Sequence, residues 1–350
     1  MNEFKLGGIP VGLSNQPFII AEMSGNHNQS FDRAMKIVEA AADAGAHALK
    51  LQTYTADTMT LNIDQMDFYI DDKKSLWKGA GLYELYQKAY TPWEWHKPLM
   101  KKANELGLVC FSTPFDETAV DFLEDLEVPA YKIASFENTD LRLIRKVAAT
   151  GKPVIISTGM ATIADLGETV SALYEYGGGN FVLLKCTSTY PASPKESNVN
   201  TIPHLREMFE CEVGLSDHTM GVGVAVAAVA KGATVIEKHF TLSRADGGVD
   251  SSFSLEPAEM ESLVVETHRA WQALGRVKYG IERSEESSIQ FKRSLYITKD
   301  VRAGEKFTTN NIRSIRPGMG LPPKYYECLL GKSAAKDIKK GTPMKWDLIK

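Results

Sequence analysis

The sequence predicts an α/β protein, a (β/α)8 barrel followed by a small β-rich domain. Three observations predict it. Short β-branched runs alternate with helical patterns eight times, over about 260 residues, the size of such a barrel. Each run ends in polar or ionisable residues, as strands do where a barrel's active site opens. Beyond residue 275 the helical periodicity stops and a weak internal repeat begins. A doubly wound open sheet is the competing arrangement. It is disfavoured because no Gly-rich nucleotide turn follows the first strand. The expected organisation is a catalytic barrel over 1–275, a linker over 276–290 and a tail domain over 291–350.

Residues 5–11 read as a short hairpin. Pro17-Phe-Ile-Ile-Ala-Glu22 is an apolar run ending in a carboxylate, and the helical pattern 32–44 stops at Gly45. Residues 46–52 form the second strand, with Lys50 and Gln52 on one face. The stretch 53–88 is long, polar and aromatic, too long for a plain connection and better read as an excursion over a site. Strands at 108–113, 130–135, 153–158, 181–187, 212–215 and 234–239 then alternate with helices at 92–106, 117–126, 141–149, 163–176, 202–209, 221–231 and 257–274. Residues 275–290 are polar and acidic. In the tail, Lys299-Asp-Val-Arg-Ala-Gly-Glu305 matches Lys336-Asp-Ile-Lys-Lys-Gly-Thr342, which suggests two related strand–turn–strand units. About 60 residues is marginal for independent stability, so this domain is expected to lean on a partner surface.

Composition sets limits. The 350 residues are 43% hydrophobic and 24% charged, with a net charge of −4, which gives no electrostatic case for nucleic acid or an anionic membrane. The longest apolar stretch, 222–230, is too short to span a bilayer, and Met1-Asn-Glu-Phe-Lys5 has no apolar leader core. The four cysteines show no zinc or redox spacing, and Cys110 and Cys186 read as small core residues. A reduced cytoplasm is the expected compartment.

The chemistry concentrates at the strand ends. Gly214-Leu-Ser-Asp-His218 and Val235-Ile-Glu-Lys-His239 place two histidines at the carboxyl ends of successive strands. Neighbouring strands lie about 5 Å apart, so the two imidazoles can share a divalent ion. Two histidines merely satisfied by core hydrogen bonds are the plain alternative. Lys50 and Lys132 follow apolar runs on non-adjacent strands. A lysine inside a barrel without an anion is strongly disfavoured by desolvation, so the pair, with hydroxyls from Ser135, Ser157 and Ser216, points to a phosphate- and carboxylate-bearing substrate. A Schiff-base lysine is the rival reading. Glu22 is the candidate for proton transfer, or otherwise the ion-pair partner of a mouth lysine.

Several motifs are those of a known family: Ile20-Ala-Glu22 with Asn26-His27, Leu49-Lys-Leu-Gln-Thr53, Phe111-Ser-Thr-Pro-Phe115, Tyr131-Lys-Ile-Ala-Ser135, Ile156-Ser-Thr-Gly159, Cys186-Thr-Ser-Thr-Tyr-Pro191, Gly214-Leu-Ser-Asp-His218 and Glu237-Lys-His239. Together they resemble the sialic acid synthase family, and the tail with Arg316-Pro-Gly318 resembles that family's SAF (antifreeze-like) domain. The resemblance implies a TIM barrel that condenses phosphoenolpyruvate with an acetamido sugar. His218 and His239 would hold a divalent ion, manganese, magnesium or cobalt. Lys50, Lys132, Ser135, Ser157 and Ser216 would bind phosphoenolpyruvate, with Thr113 and Ser188 near it. Glu22 and Gln52 would face the reacting carbons and the sugar, Asp250 would contact sugar hydroxyls, and Tyr190 would be a further substrate-binding residue. Arg316 would reach the sugar across a domain-swapped homodimer. Where family members tend to carry Gly-Pro-Asp-His, this chain has Gly248-Val-Asp-Ser251, which implies a sugar other than N-acetylmannosamine.

Overall fold

The computed structural model describes residues 4–72 and 75–350. The first three residues, part of the leader reading above, and residues 73–74 of the long excursion lie outside them. The chain divides into two compact units, Met1–Gly275 and Arg276–Lys350.

The first unit is the predicted barrel. A hairpin of β1 (Lys5–Leu6) and β2 (Ile9–Pro10) precedes it. The barrel strands are β3 (Phe18–Glu22), β4 (Ala48–Thr53), β5 (Val109–Pro114), β6 (Tyr131–Ile133), β7 (Val154–Ser157), β8 (Phe181–Cys186), β9 (Glu212–Asp217) and β10 (Val235–His239). They pair in parallel and in sequence order, and β10 returns to β3, so the sheet has no free edge. Helices follow the strands: α1 (Phe31–Asp43), α2 (Ala56–Met59), α3 (Leu82–Ala89), α4 (Trp93–Glu105), α5 (Glu117–Asp125), α6 (Leu141–Ala148), α7 (Ile163–Glu175), α8 (Thr201–Phe209), α9 (Gly223–Ala230) and α10 (Pro257–Leu274). Their starts are set locally. Asp116, Asp140 and Thr162 cap α5, α6 and α7 with side-chain oxygens that accept first-turn amides. Gly45, at φ 80°, lets the chain turn from α1 into β4.

Strand parity positions the site. Alternate residues face inward, and the interior rows begin apolar: Phe18 and Ile20, Val109 and Phe111, Val182 and Leu184 pack together, with Leu6 and Val11 of the hairpin joining them. The intervening residues, among them Ile19, Leu49, Cys110, Ile133, Ile156 and Leu215, pack in the cluster that also takes in the helices. Continued upward by two, the interior rows reach Glu22, Lys50, Lys132, Ser157, Cys186, Ser216 and Glu237. The apolar layers seal one end of the barrel, and the polar layer lies on top of them. Cys186 therefore corrects the expectation of a core thiol. Cys110 points to the helices, but Cys186 sits on the interior row and lines the mouth.

In the second unit, β11 (Ser294–Ile297) and β12 (Ile312–Ile315) form an antiparallel pair, and α11 (Tyr326–Leu329) is a single turn. The internal repeat has a structural meaning. Val301 and Ile338 exchange both backbone hydrogen bonds, at 2.9 and 2.8 Å. Asp300 accepts from the Lys340 amide, and Asp337 from the Ala303 amide, each at 2.8 Å. The two repeats thus meet about a local two-fold axis and share one core of Leu295, Ile297, Phe307, Leu329 and Met344. Regular strand is sparser than expected, since these pairings are isolated bridges. The segment read as a plain linker contains 3-10 turns over Arg283–Phe291.

Candidate active site

The carboxyl ends of the strands surround a cavity of about 280 Å³. Its depth is charged. Lys50, 3% exposed, lies 2.6 Å from Glu22, 3.7 Å from Glu237 and donates to Thr113 at 3.1 Å. Lys132, 2% exposed, donates to Ser157 at 2.7 Å and lies 3.4 Å from Glu237. Glu237 thus stands between two lysines carried by β4 and β6, strands that are not its neighbours. Only the interior of a closed barrel allows this, because strands across the circle converge there. Burial pulls Lys132 below the ordinary lysine value, against Glu237 and with help from Lys50. For Lys50 burial acts the same way, but Glu22 and Glu237 outweigh it and the amine is raised. Burial lifts the Glu22 carboxyl to about 7, opposed by Lys50 and assisted by Glu237. Gln52 and the Ser24 amide donate to its other oxygen at 3.0 and 3.1 Å.

The hydroxyls gather beside the lysines. Ser135 opens a 3-10 turn, Ser135–Glu137, after β6, and its Oγ accepts from the Gly159 amide at 3.1 Å. Ser188 lies against the same glycine. A Cβ at position 159 would stand 2.1 Å from Ser188 Oγ and 2.6 Å from Ser135 Oγ, so only glycine admits both. Ser216 reaches Glu237 at 3.4 Å.

The histidines form the rim. Their ring centroids are 5.3 Å apart, and Tyr190 and Phe253 pack on them, at 4.5 Å from His218 and 4.9 Å from His239 respectively. His218 Nδ1 donates to the Thr187 carbonyl at 2.9 Å, which leaves Nε2 as its free nitrogen. Burial and the surrounding positive groups hold His239 well below the usual imidazole value, so the ring is neutral. Its Nδ1 is buried without a hydrogen-bond partner, 3.8 Å from Asp250, which itself accepts from the Ser24 hydroxyl. Among the described residues no three His, Cys, Asp or Glu side chains form a ready-made metal cluster. The orphaned nitrogen of a neutral imidazole beside a second histidine nonetheless suits a cation held by two protein ligands and completed by substrate and water.

The barrel mouth therefore brings together Glu22, Lys50, Gln52, Thr113, Lys132, Ser135, Ser157, Ser188, Tyr190, Ser216, His218, His239 and Asp250. Arg316 lies in the second unit, exposed just after β12. Sequence reasoning placed Glu237 at a strand end, on the same face as His239, but gave it no role in the site. It missed Glu137, whose carboxyl burial raises to about 7 and whose Oε2 is buried without a hydrogen-bond partner. Parity cannot reach Glu137, because the chain has already left β6 for a turn.

A closed (β/α)8 barrel with a lysine-lined depth beneath a histidine rim defines an enzyme whose site at the strand ends suits a small anionic substrate. The chain belongs to the NeuB family, which matches residues 37–279, and an SAF domain matches residues 292–350. It is 46% identical to the pseudaminic acid synthase of Campylobacter jejuni over 94% of this chain and 95% of that protein. It is 42% identical to the pseudaminic acid synthase of Helicobacter pylori over 95% of this chain and 98% of that one. The crystal structure of an N-acetylneuraminic acid synthetase from Leptospira borgpetersenii, in complex with citrate, superposes with a TM-score of 0.73 at 32% identity, covering 83% of this chain and 96% of that one.

Proposed function

We propose that this chain is a pseudaminic acid synthase. It condenses phosphoenolpyruvate with 2,4-diacetamido-2,4,6-trideoxy-β-L-altrose to give pseudaminic acid and phosphate. The carrying observation is the near full-length likeness to two pseudaminic acid synthases in a chain with a charged barrel mouth.

In this reading Lys50 and Lys132 take the phosphate and carboxylate of phosphoenolpyruvate, and Thr113, Ser135, Ser157, Ser188 and Ser216 supply neutral donors around them. Charged hydrogen bonds in a dry site hold such an anion more strongly than they would in water. Glu237 opposes the deprotonation that burial favours at both amines and holds them in place before the substrate arrives. C3 of phosphoenolpyruvate bonds to the aldehyde carbon of the open-chain sugar, whose oxygen takes up a proton. Water adds at C2, and phosphate departs with its bridging oxygen. Glu22 and Glu137, both lifted to about 7 by burial, can each hold or release a proton at neutral pH. Gln52, Tyr190 and Asp250 orient the sugar. His218 and His239 would hold a divalent ion, manganese, magnesium or cobalt, that polarises the aldehyde when bound.

Arg316 reaches the sugar bound by a neighbouring subunit in a domain-swapped homodimer, an exchange that closes under two-fold symmetry. The compartment is the cytoplasm. Four unpaired cysteines, two of them buried, support it, and no helix among the described residues is long and apolar enough to cross a membrane. The test is a panel of acetamido sugars offered with phosphoenolpyruvate, read by phosphate release and by the mass of the nine-carbon product. The 2,4-diacetamido-6-deoxy sugar is expected to lead. If N-acetylmannosamine or the legionaminate precursor is used best, the enzyme is an N-acetylneuraminate or legionaminate synthase. No phosphate release with any sugar would leave a non-catalytic sugar-binding protein.

A further inference from the structure

The cavity has two unlike faces. Its depth is the lysine, carboxylate and hydroxyl layer. Its outer side is apolar and comes largely from the excursion between β4 and α4, with Phe115, Phe136 and Val249 beside it. Met59, Ile70, Trp77, Leu82 and Leu85 line the cavity and are half-buried, yet they belong to none of the apolar clusters that build the fold. Packing therefore does not explain why these positions are apolar, and an apolar surface kept beside a polar one marks a ligand contact. Described residues of the excursion are pinned at both of its ends and at Trp77. The Tyr54 ring meets Tyr86 of α3 at 5.8 Å and Phe115 at 5.1 Å. Trp77 Nε1 donates to the Val249 carbonyl at 3.0 Å, and its ring lies 5.9 Å from Tyr190. Trp77 thus ties the apolar wall to the loop carrying Asp250.

We propose that this wall is a specificity subsite that takes the methyl-bearing end of the sugar, its deoxygenated terminal carbon and an N-acetyl methyl, and disfavours sugars that end in a hydroxymethyl group. The inference rests on the synthase reading given above. The lysine layer accounts for the anion, so the wall faces the second substrate. A methyl group seated on leucine and isoleucine is stripped of water at no polar cost, whereas a hydroxyl there loses its hydrogen bonds to water and finds no replacement.

The test compares two sugars that differ by one hydroxyl, the 2,4-diacetamido-2,4,6-trideoxy sugar and its 6-hydroxy counterpart, with phosphoenolpyruvate in excess. The intact enzyme should favour the deoxy sugar in kcat/KM by roughly 100-fold, about the most an apolar pocket achieves against an added hydroxyl. Leu85→Gln and Ile70→Thr should each cut that preference about 10-fold and leave the KM for phosphoenolpyruvate unchanged, while Leu85→Met should retain it. Equal losses on both sugars would mean that the wall only orders the loop or covers a neighbouring domain, and the proposal falls. An unchanged preference in both variants overturns it as well. Failure of the synthase reading shows separately, as an intact enzyme that releases no phosphate with either sugar.

Discussion

Replacing Lys132 by methionine tests the arrangement at the bottom of the site. Lys132 and Lys50 share Glu237, at 3.4 and 3.7 Å. At an effective dielectric constant of about 20, a unit pair at 3.4 Å attracts by about 5 kcal/mol, before desolvation is counted. Lys132→Met removes one cation and keeps the stem volume, so Glu237 is left with Lys50 alone, which also serves Glu22 at 2.6 Å. Breaking a buried pair from one side destabilises by about 3–5 kcal/mol. Phosphoenolpyruvate also loses a charged hydrogen bond of about 1.5–3 kcal/mol, a 10- to 150-fold rise in its KM. Adding Glu237→Gln removes the stranded charge. The double variant should then recover about 2–3 kcal/mol of unfolding free energy over the single one, and its KM for phosphoenolpyruvate should stay high. Urea unfolding of the wild type, both single variants and the double variant, with steady-state phosphate release on each, gives the full cycle. A double variant no more stable than Lys132→Met would refute the pairing. An unchanged phosphoenolpyruvate KM in Lys132→Met would refute the anion site.

His218→Ala or His239→Ala should abolish binding of a divalent ion and lower kcat by several orders of magnitude with unchanged circular dichroism; full activity of a chelated enzyme would refute this. Arg316→Ala should weaken sugar use by about 10- to 150-fold, the loss of one charged hydrogen bond, with phosphoenolpyruvate use nearly unchanged. Mixing it with His218→Ala should restore one working site per heterodimer, and no recovery despite proven subunit exchange would count against action in trans. Two glycines should separate fold from site. Gly214→Ala sets a Cβ 2.2 Å from the Val235 carbonyl oxygen inside the barrel sheet and should lower Tm sharply or abolish soluble protein. Gly159→Ala meets only the Ser135 and Ser188 side chains, not backbone, and should raise the phosphoenolpyruvate KM with a much smaller loss of Tm. Equal Tm losses in the two variants would show that the Gly159 contacts are structural.

How the barrel was legible follows from one regularity. A strand's side chains alternate, and a closed sheet turns every second residue inward. Phe18, Ile20 and Glu22 on β3, or Val235, Glu237 and His239 on β10, therefore already state an apolar base and a polar top. From the same rows Lys50, Lys132, Ser157, Ser216 and the two histidines could be placed at the mouth without any structure. Periodicity says nothing about residues that leave the strand. Glu137 sits in a turn, and the apolar wall comes from an excursion with no barrel period to read. Nor does it give distances across the circle. That Glu237 of β10 stands between Lys50 of β4 and Lys132 of β6 depends on the tilt and stagger of all the strands together. That quantity accumulates around the closed sheet and is written in no single strand. The sequence by itself determined which strand residues enter the barrel mouth, and only the tertiary structure decided which of them touch and which turn and loop residues join them.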